Sequence, residues 1–170
     1  DPQSPHIINL TGARLQQGTR YDETFENEVT LKDGTVYSIS MVAEDMAGNV
    51  AEKITVDNIT FDSTGPEITI LSPSPSIFTN QLNVDFSLNE QLQKAKIILE
   101  RTGGPNDSSS PHEINLVDTD LAPAPKTSID IIQRINLVSN AVYRISIEGV
   151  DIAGNTGISN IIESITFDDI

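Results

Sequence analysis

The feature that most constrains the fold of this chain is an internal repeat with a period of 106 residues. When the sequence is shifted by this period, residues 1–64 align with residues 107–170 without a gap, and 21 of the 64 aligned positions are identical. The segment "SPHIINL" at 4–10 lies over "SPHEINL" at 110–116, and "EDMAGN" at 44–49 lies over "VDIAGN" at 150–155. The sequence therefore encodes one architecture twice.

The two copies of the repeat differ in length. Residues 65–170 form one complete period, whereas residues 1–64 have no equivalent of residues 65–106. We therefore predict a partial repeat at 1–64, which lacks the first strands, and a complete repeat at 65–170. Such a chain reads as a segment of a longer tandem array. The partial repeat is expected to keep an exposed core, or to be completed by strand exchange with another chain.

Short alternating runs between turn residues predict strands throughout the second repeat. In "LNVDFSL" at 82–88, the apolar side chains fall on one face of the strand and the polar side chains on the other. No stretch has a convincing helical period. The predicted fold class is all-β, with seven short strands in a Greek-key β-sandwich, and the first repeat should hold the equivalents of the later strands from residue 6 onward. The predicted strands cover 67–71, 82–88, 94–101, 112–116, a run near 127–132, 141–150 and 158–167.

Three motifs in this order carry a resemblance to a known family. The linker and first strand "DSTGPEI" at 62–68, a tyrosine-bearing strand and the D-x-A-G-N motif resemble the bacterial immunoglobulin-like or fibronectin-III-like tandem repeats. These repeats occur in large secreted and cell-surface proteins of the adhesin type. The resemblance implies an extracellular or cell-surface location, with neighbouring immunoglobulin-like repeats of the same polypeptide as partners. It also places Tyr37 and Tyr143 at a tyrosine corner, whose hydroxyl bonds back to the preceding connection.

The D-x-A-G-N motif has two interpretations. As a turn, it uses Gly and Asn for positive φ and Asp to accept from backbone N–H groups. As a metal site, it would bring carboxylate and amide oxygens, the ligands that Ca²⁺ prefers, to the junction between repeats. In that reading Asp45 and Asn49 would face a preceding repeat, and Asp168 a following one. The candidate interdomain calcium ligands are Asp62, Glu67, Glu90, Asp151 and Asn155.

Composition and motif content favour a chain without catalytic chemistry. The net charge of −15 disfavours nucleic-acid binding, and the absence of cysteine excludes disulfides and thiol nucleophiles. No apolar run approaches the ~18 residues of a membrane span. His6 and His112 lie one period apart, and we interpret each as the start of a strand after Ser-Pro. We expect no enzyme and no cofactor other than Ca²⁺.

The predicted function is that of a structural or adhesive module, a stalk or spacer of a large bacterial surface or secreted protein. Two alternatives stay open: a module that binds a carbohydrate or protein ligand, and an accessory domain of a secreted hydrolase. Exposed aromatic rings would favour ligand binding. Most rings fall on the predicted core face, and the two exceptions are Tyr21 and Phe78.

Overall fold

The computed structural model describes residues 1–19, 29–123 and 129–170, and these residues form mostly β structure. The chain forms two compact units, Asp1–Ser63 and Thr64–Ile170. Two four-residue 3-10 helices, Gly12–Leu15 and Asp118–Leu121, are the helical segments of the described residues. Neither these segments nor any other described helix has the length and apolarity that a membrane span requires. The prediction of an all-β chain is confirmed.

The first unit contains one antiparallel pair of strands among its described residues, β1 (Thr35–Met41) and β2 (Ile54–Phe61). Tyr37, Ile39 and Met41 share one face of β1, because side chains alternate across a strand. No described residue of this unit is fully buried. The described part of the first unit is therefore a two-stranded sheet without an enclosed core.

The second unit contains two sheets. One has the strand order β4-β11-β9-β6-β7 with β10 added to β9, and the other has the order β3-β5-β8. Neighbouring strands are antiparallel except for β4 and β11, which pair in parallel. The strands are β3 (Ile68–Ser72), β4 (Phe78–Thr79), β5 (Asn83–Leu88), β6 (Leu92–Gly103), β7 (His112–Leu116), β8 (Ile129–Asp130), β9 (Val142–Asp151), β10 (Thr156–Ile158) and β11 (Ile162–Phe167).

One hydrophobic core joins the two sheets of the second unit. The alternating residues of β5 and β9 supply much of it, as the period of two in the sequence predicts. Val84 and Phe86 of β5 and Ile145 and Ile147 of β9 are all fully buried. The burial of such apolar area is the main favourable term in folding.

The last predicted strand, 158–167, is wrong as a single element, because β10 ends at Ile158, residues 159–161 lie outside any strand and β11 begins at Ile162. Between β10 and β11, polar side chains take the place of the backbone hydrogen bonds between strands. Ile147 N–H donates to Ser159 Oγ (2.8 Å), and Asn160 accepts from Ile70 N–H (2.7 Å) and donates to the Ile70 carbonyl (3.2 Å). These contacts tie the break to both sheets. The two-residue strand β4 was not predicted. Residues 127 and 128 of the predicted run near 127–132 lie outside the described residues, and the described part of this run contains β8.

The strand pairs β1–β2 and β9–β11 have the same register one period apart. Tyr37 pairs with Ile59 as Tyr143 pairs with Ile165, and Ile39 pairs with Val56 as Ile145 pairs with Ile162. In both pairs the register shifts between these two positions. The extra residue is at positive φ in each case, Asn58 at 62° and Ser164 at 62°. The repeat thus encodes a β-bulge as well as two strands.

The segment 6–10 does not form the expected strand, although its equivalent in the second unit is β7. The reason is the missing partner. In the second unit β7 pairs with β6, from Ala95 opposite Leu116 to Leu99 opposite His112. Residues 1–64 contain no equivalent of β6, so the segment 6–10 has no ladder to join.

Candidate functional site

The D-x-A-G-N motif of the second unit forms the hairpin turn between β9 and β10. Asp151 N–H donates to the Asn155 carbonyl (3.0 Å), which closes the turn. In return, Asn155 donates to the Asp151 carboxylate twice, from its backbone N–H (2.9 Å) and from its side-chain Nδ2 (2.9 Å). Gly154 lies at a φ of 95°, a conformation that favours glycine. Both Asp151 carboxylate oxygens therefore accept hydrogen bonds from within the turn.

The first unit repeats this turn atom for atom. Asn49 donates to the Asp45 carboxylate from its backbone N–H (2.9 Å) and from Nδ2 (2.8 Å), and Gly48 lies at a φ of 87°. The hydrogen bonds from Asn49 hold the pKa of Asp45 below its usual range. Burial raises the pKa of Asp151, but the hydrogen bonds from Asn155 outweigh it, and the net shift is downward. Both aspartates are therefore held in the ionised form that accepts these bonds.

The residues predicted to bind calcium are distributed over both units. Asp62 follows β2 in the first unit, whereas the other four belong to the second. Within the second unit, carboxylate oxygens of Glu90 and Asp151 lie within 4.8 Å of each other, and Asn155 contacts Asp151 directly. Glu67 is exposed just before β3 and does not share this grouping; its backbone N–H donates to Asn89 Oδ1 (2.9 Å). Calcium binding stays a prediction.

A buried network of Asp107, His112 and Tyr143 is the second repeated feature of the molecule. The Asp107 carboxylate oxygen Oδ2 contacts His112 Nε2 (2.7 Å) and accepts from the Tyr143 hydroxyl (2.7 Å). The same hydroxyl accepts from Val138 N–H (3.0 Å), which ties the start of β9 to the preceding turn. All three side chains are at most 8% exposed. The network joins the loop before β7 to the central strand β9.

The first unit contains the same network, formed by Asp1, His6 and Tyr37. Asp1 Oδ2 contacts His6 Nε2 (2.8 Å) and accepts from the Tyr37 hydroxyl (2.5 Å), while Lys32 N–H donates to that hydroxyl (2.8 Å). The ring centroids of histidine and tyrosine are 6.3 Å apart in both units. The two sites have closely similar geometry, although Tyr143 is buried and Tyr37 only half-buried, so the three residues are repeated as a set.

Charge and proton positions in the buried network follow from its contacts. Burial raises the pKa of Asp107, but the hydrogen bonds from His112 and Tyr143 outweigh it, and the net shift is downward. Burial also raises the pKa of Tyr143 to about 12, and the hydrogen bond to Asp107 adds to this. Asp107 is thus an ionised acceptor and Tyr143 a neutral donor across the physiological range.

The sequence analysis identified His6, His112 and both tyrosines singly and missed the network. The sequence does contain a signal for the network. Asp1, His6 and Tyr37 align with Asp107, His112 and Tyr143, so all three residues are identical in the two copies of the repeat. No known protein family matches the chain, and no curated protein matches it. The function must therefore be inferred from the repeated turns and networks.

Proposed function

We propose that the chain is a non-catalytic structural module, an immunoglobulin-like repeat that serves as a stalk or spacer in a large secreted or surface protein of a bacterium. The observation that carries this proposal is the use of the repeated polar side chains. In both units the Asp of the D-x-A-G-N turn and the Asp of the Asp–His–Tyr network accept hydrogen bonds from their own unit.

Internal use of these groups favours scaffolding over chemistry. A general base or nucleophile must present its reactive atom to a substrate. Asp107 and His112 are instead buried against each other, and Asp107 is held by Tyr143 as well. A network of this kind, with its polar atoms paired, rigidifies a fold and specifies one arrangement of its loops.

The architecture of the second unit supports a load-bearing role. Two antiparallel sheets share one core, and the long strands β6 and β9 pair from Leu92 opposite Asp151 to Gly103 opposite Val142. A sandwich of this type, chained by short linkers, projects whatever it carries away from its anchor.

Force spectroscopy on the full chain, pulled from its ends, tests the spacer function. We expect one cooperative unfolding event for the second unit, with a gain in length of about 350 Å, the extended length of 107 residues less the folded distance between their ends. A smooth extension without such an event would refute the proposal.

A binding function is the second candidate, because Phe78 in the short strand β4 is 78% exposed. Aromatic rings exposed in this way can stack on sugars or pack into a protein partner. Tyr21, the other candidate ring, lies outside the described residues. A glycan array probed with the full chain and with Phe78→Ala separates the functions: a hit that the substitution abolishes would replace the spacer by a lectin-like module.

Calcium at the turn of the second unit is a further part of the proposed function. Glu90 and Asp151 supply oxygen ligands close together, and Ca²⁺ takes six to eight oxygens at flexible geometry. A bound ion would raise the melting temperature, since a ligand that binds only the native state stabilises it. Equal melting curves with millimolar calcium and with chelator would remove calcium from the account.

A further inference from the structure

We propose that the apolar face of β1 and β2 in the first unit is a docking surface for a strand-bearing segment that completes the repeat. The segment has the sequence character of residues 65–106. This inference rests on the proposed function, because it names the partner that a spacer module of this kind requires. We call this surface the open face and define it by Tyr37, Ile39, Met41, Val56 and Ile59.

The second unit shows what covers the open face when the segment is present. Ile39 is 61% exposed, whereas its equivalent Ile145 is 0% exposed. Val56 is 56% exposed, whereas its equivalent Ile162 is 8% exposed. The strand register is the same in both units, so the difference comes from the covering strands and not from the pairing. In the second unit these positions belong to a core that includes residues of β3, β5 and β6.

The edge of the open face also needs a strand. In the second unit β9 lies between β11 and β6, and its ladder with β6 runs from Val142 to Asp151. In the first unit β1 pairs with β2, and the described part of the chain supplies no strand for its other edge. An occupant that only packed on the face would leave the backbone groups of that edge without strand partners. The occupant therefore contributes both an edge strand like β6 and a covering sheet like β3 and β5.

A second copy of this chain does not meet this requirement. Each chain has two halves that need such a segment, residues 1–64 and 107–170, and only one copy of residues 65–106. An exchange between copies would cover one open face and uncover another. Face-to-face packing of two first units would cover the apolar side chains but leave the edge of β1 unpaired.

Overall charge favours a segment of this composition. Residues 65–106 carry three basic and four acidic side chains, whereas residues 1–64 carry four basic and eleven acidic ones. Residues 107–170 carry three basic and ten acidic ones, so the covered half of the second unit has a comparable acidic surplus. A nearly neutral segment avoids the repulsion that a third acidic segment would add.

One position distinguishes the occupant from residues 65–106 themselves. Lys96 of β6 contacts Glu113 (2.7 Å) and Glu148 (3.5 Å) on the neighbouring strands. The equivalents of these glutamates in the first unit are Ile7 and Val42, both more than half exposed. We therefore infer an apolar or neutral residue at this position of the occupant strand.

The test adds the missing segment to the full chain. A copy of residues 65–106 is joined directly ahead of Asp1, which reproduces the order of the complete repeat, and amide hydrogen exchange is measured along the chain. We expect exchange in residues 35–41 and 54–61 to slow by at least about tenfold, because the open face and the edge of β1 become protected. A second added copy with Lys96→Val should protect at least as well, and a loss of protection with it would contradict the inferred register.

The matched control is an added copy in which Val84 and Ile97, both fully buried in the second unit, are replaced by aspartate. It should leave exchange in β1 and β2 fast. Fast exchange with the unaltered copy, while β9 stays protected, would overturn the docking proposal; the force measurement on the second unit would stand independently. The docking proposal would also be overturned if β1 and β2 were protected in the original chain and the chain sedimented as a dimer. That result would identify a second copy of the chain as the occupant.

Discussion

At the scale of single residues, each unit uses one carboxylate to connect a histidine with a tyrosine. The tyrosine hydroxyl has two partners in each unit, an aspartate oxygen and a backbone N–H. The two networks differ in their surroundings. Tyr143 is fully buried, whereas Tyr37 lies in a unit whose described residues include no buried one. The two networks can therefore be compared within one chain to measure how much burial of the tyrosine adds to the stability that the network provides.

Removal of the Tyr143 hydroxyl should destabilise the second unit. Tyr143→Phe removes the donor to the buried Asp107 carboxylate and the acceptor of Val138 N–H, which costs about 1–3 kcal/mol of unfolding free energy. Tyr37→Phe makes the same atomic change in the first unit and should cost less, because water can replace the lost bond. Urea denaturation of both variants measures the difference. Equal losses, or no loss for Tyr143→Phe, would contradict a structural role for the network.

Acid should weaken the second unit through Asp107. Its pKa is lowered in the folded state from the ordinary value of 3.8, so its stabilising contribution is present above that value and is lost as the pH falls through the folded pKa. The lowered pKa of Asp151, which lies in the same unit, acts in the same direction. Asp107→Asn should therefore show a shallower loss of stability in acid than the unaltered chain. An unchanged slope of unfolding free energy against pH below about 4 would refute this.

Alkali should act through Tyr143 with the opposite sign. The folded pKa of about 12 lies above the ordinary value of 10.0, so the contribution is complete below pH 10 and is lost as the pH rises toward 12. Tyr143→Phe should lack this part of the alkaline loss. The measurement is chemical denaturation on both sides of pH 10, and parallel curves for the two proteins would contradict the raised pKa.

At the scale of secondary-structure elements, close backbone approach fixes where β10 lies. Gly157 of β10 lies so near the linker that an added Cβ would fall on the carbonyl oxygen of Pro66. Its equivalent in the first unit is Ala51, which is exposed. Glycine is therefore required only where the second unit is closed by the residues around Pro66.

The substitution Gly157→Ala should separate the linker from β10. We expect a loss of about 1–3 kcal/mol, since a rigid backbone atom stands in the way. Gly103→Ala is the control, because an added Cβ there would meet Val142 at an ordinary distance of 3.6 Å and glycine is not needed for its φ. Thermal melting of both variants checks the prediction. A Gly157→Ala protein as stable as Gly103→Ala would show that the linker is not held there.

The strands that the sequence predicts well are those with a strict alternation, such as β5 and β9. Their apolar residues at alternate positions, Val84, Phe86 and Leu88 of β5 and Tyr143, Ile145 and Ile147 of β9, all enter the core, so the period of two follows the burial of these side chains. The bulge at Asn58 and Ser164 has no comparable signal, because two different residues adopt the same positive φ. The short strand β4 depends on a parallel pairing with β11 that only the folded chain brings about.

The candidate site was predicted in part for a similar physical reason. The D-x-A-G-N turn is local, and its sequence already specifies the glycine and the capping aspartate. The Asp107–His112–Tyr143 network joins residues up to 36 positions apart, and alternation says nothing about such contacts. In the sequence, the network can be recognised only by comparing the two copies of the repeat, in which all three residues recur.

At the scale of the whole molecule, two copies of one pattern reach different degrees of closure. The complete repeat encloses a core with both sheets, whereas the described part of the partial repeat keeps the same register, turn and network around exposed apolar side chains. The chain carries a net charge of −15, and its nearly neutral segment, 65–106, is the part that the first repeat lacks.

Residue-resolved amide hydrogen exchange on the unaltered chain tests the central claim most directly, namely that the repeat encodes one scaffold which is closed in the second unit and open in the first. The account predicts strong protection in residues 83–99 and 142–151, and exchange faster by at least about two orders of magnitude in residues 35–41 and 54–61. Equal protection of β1 and β9 would contradict it.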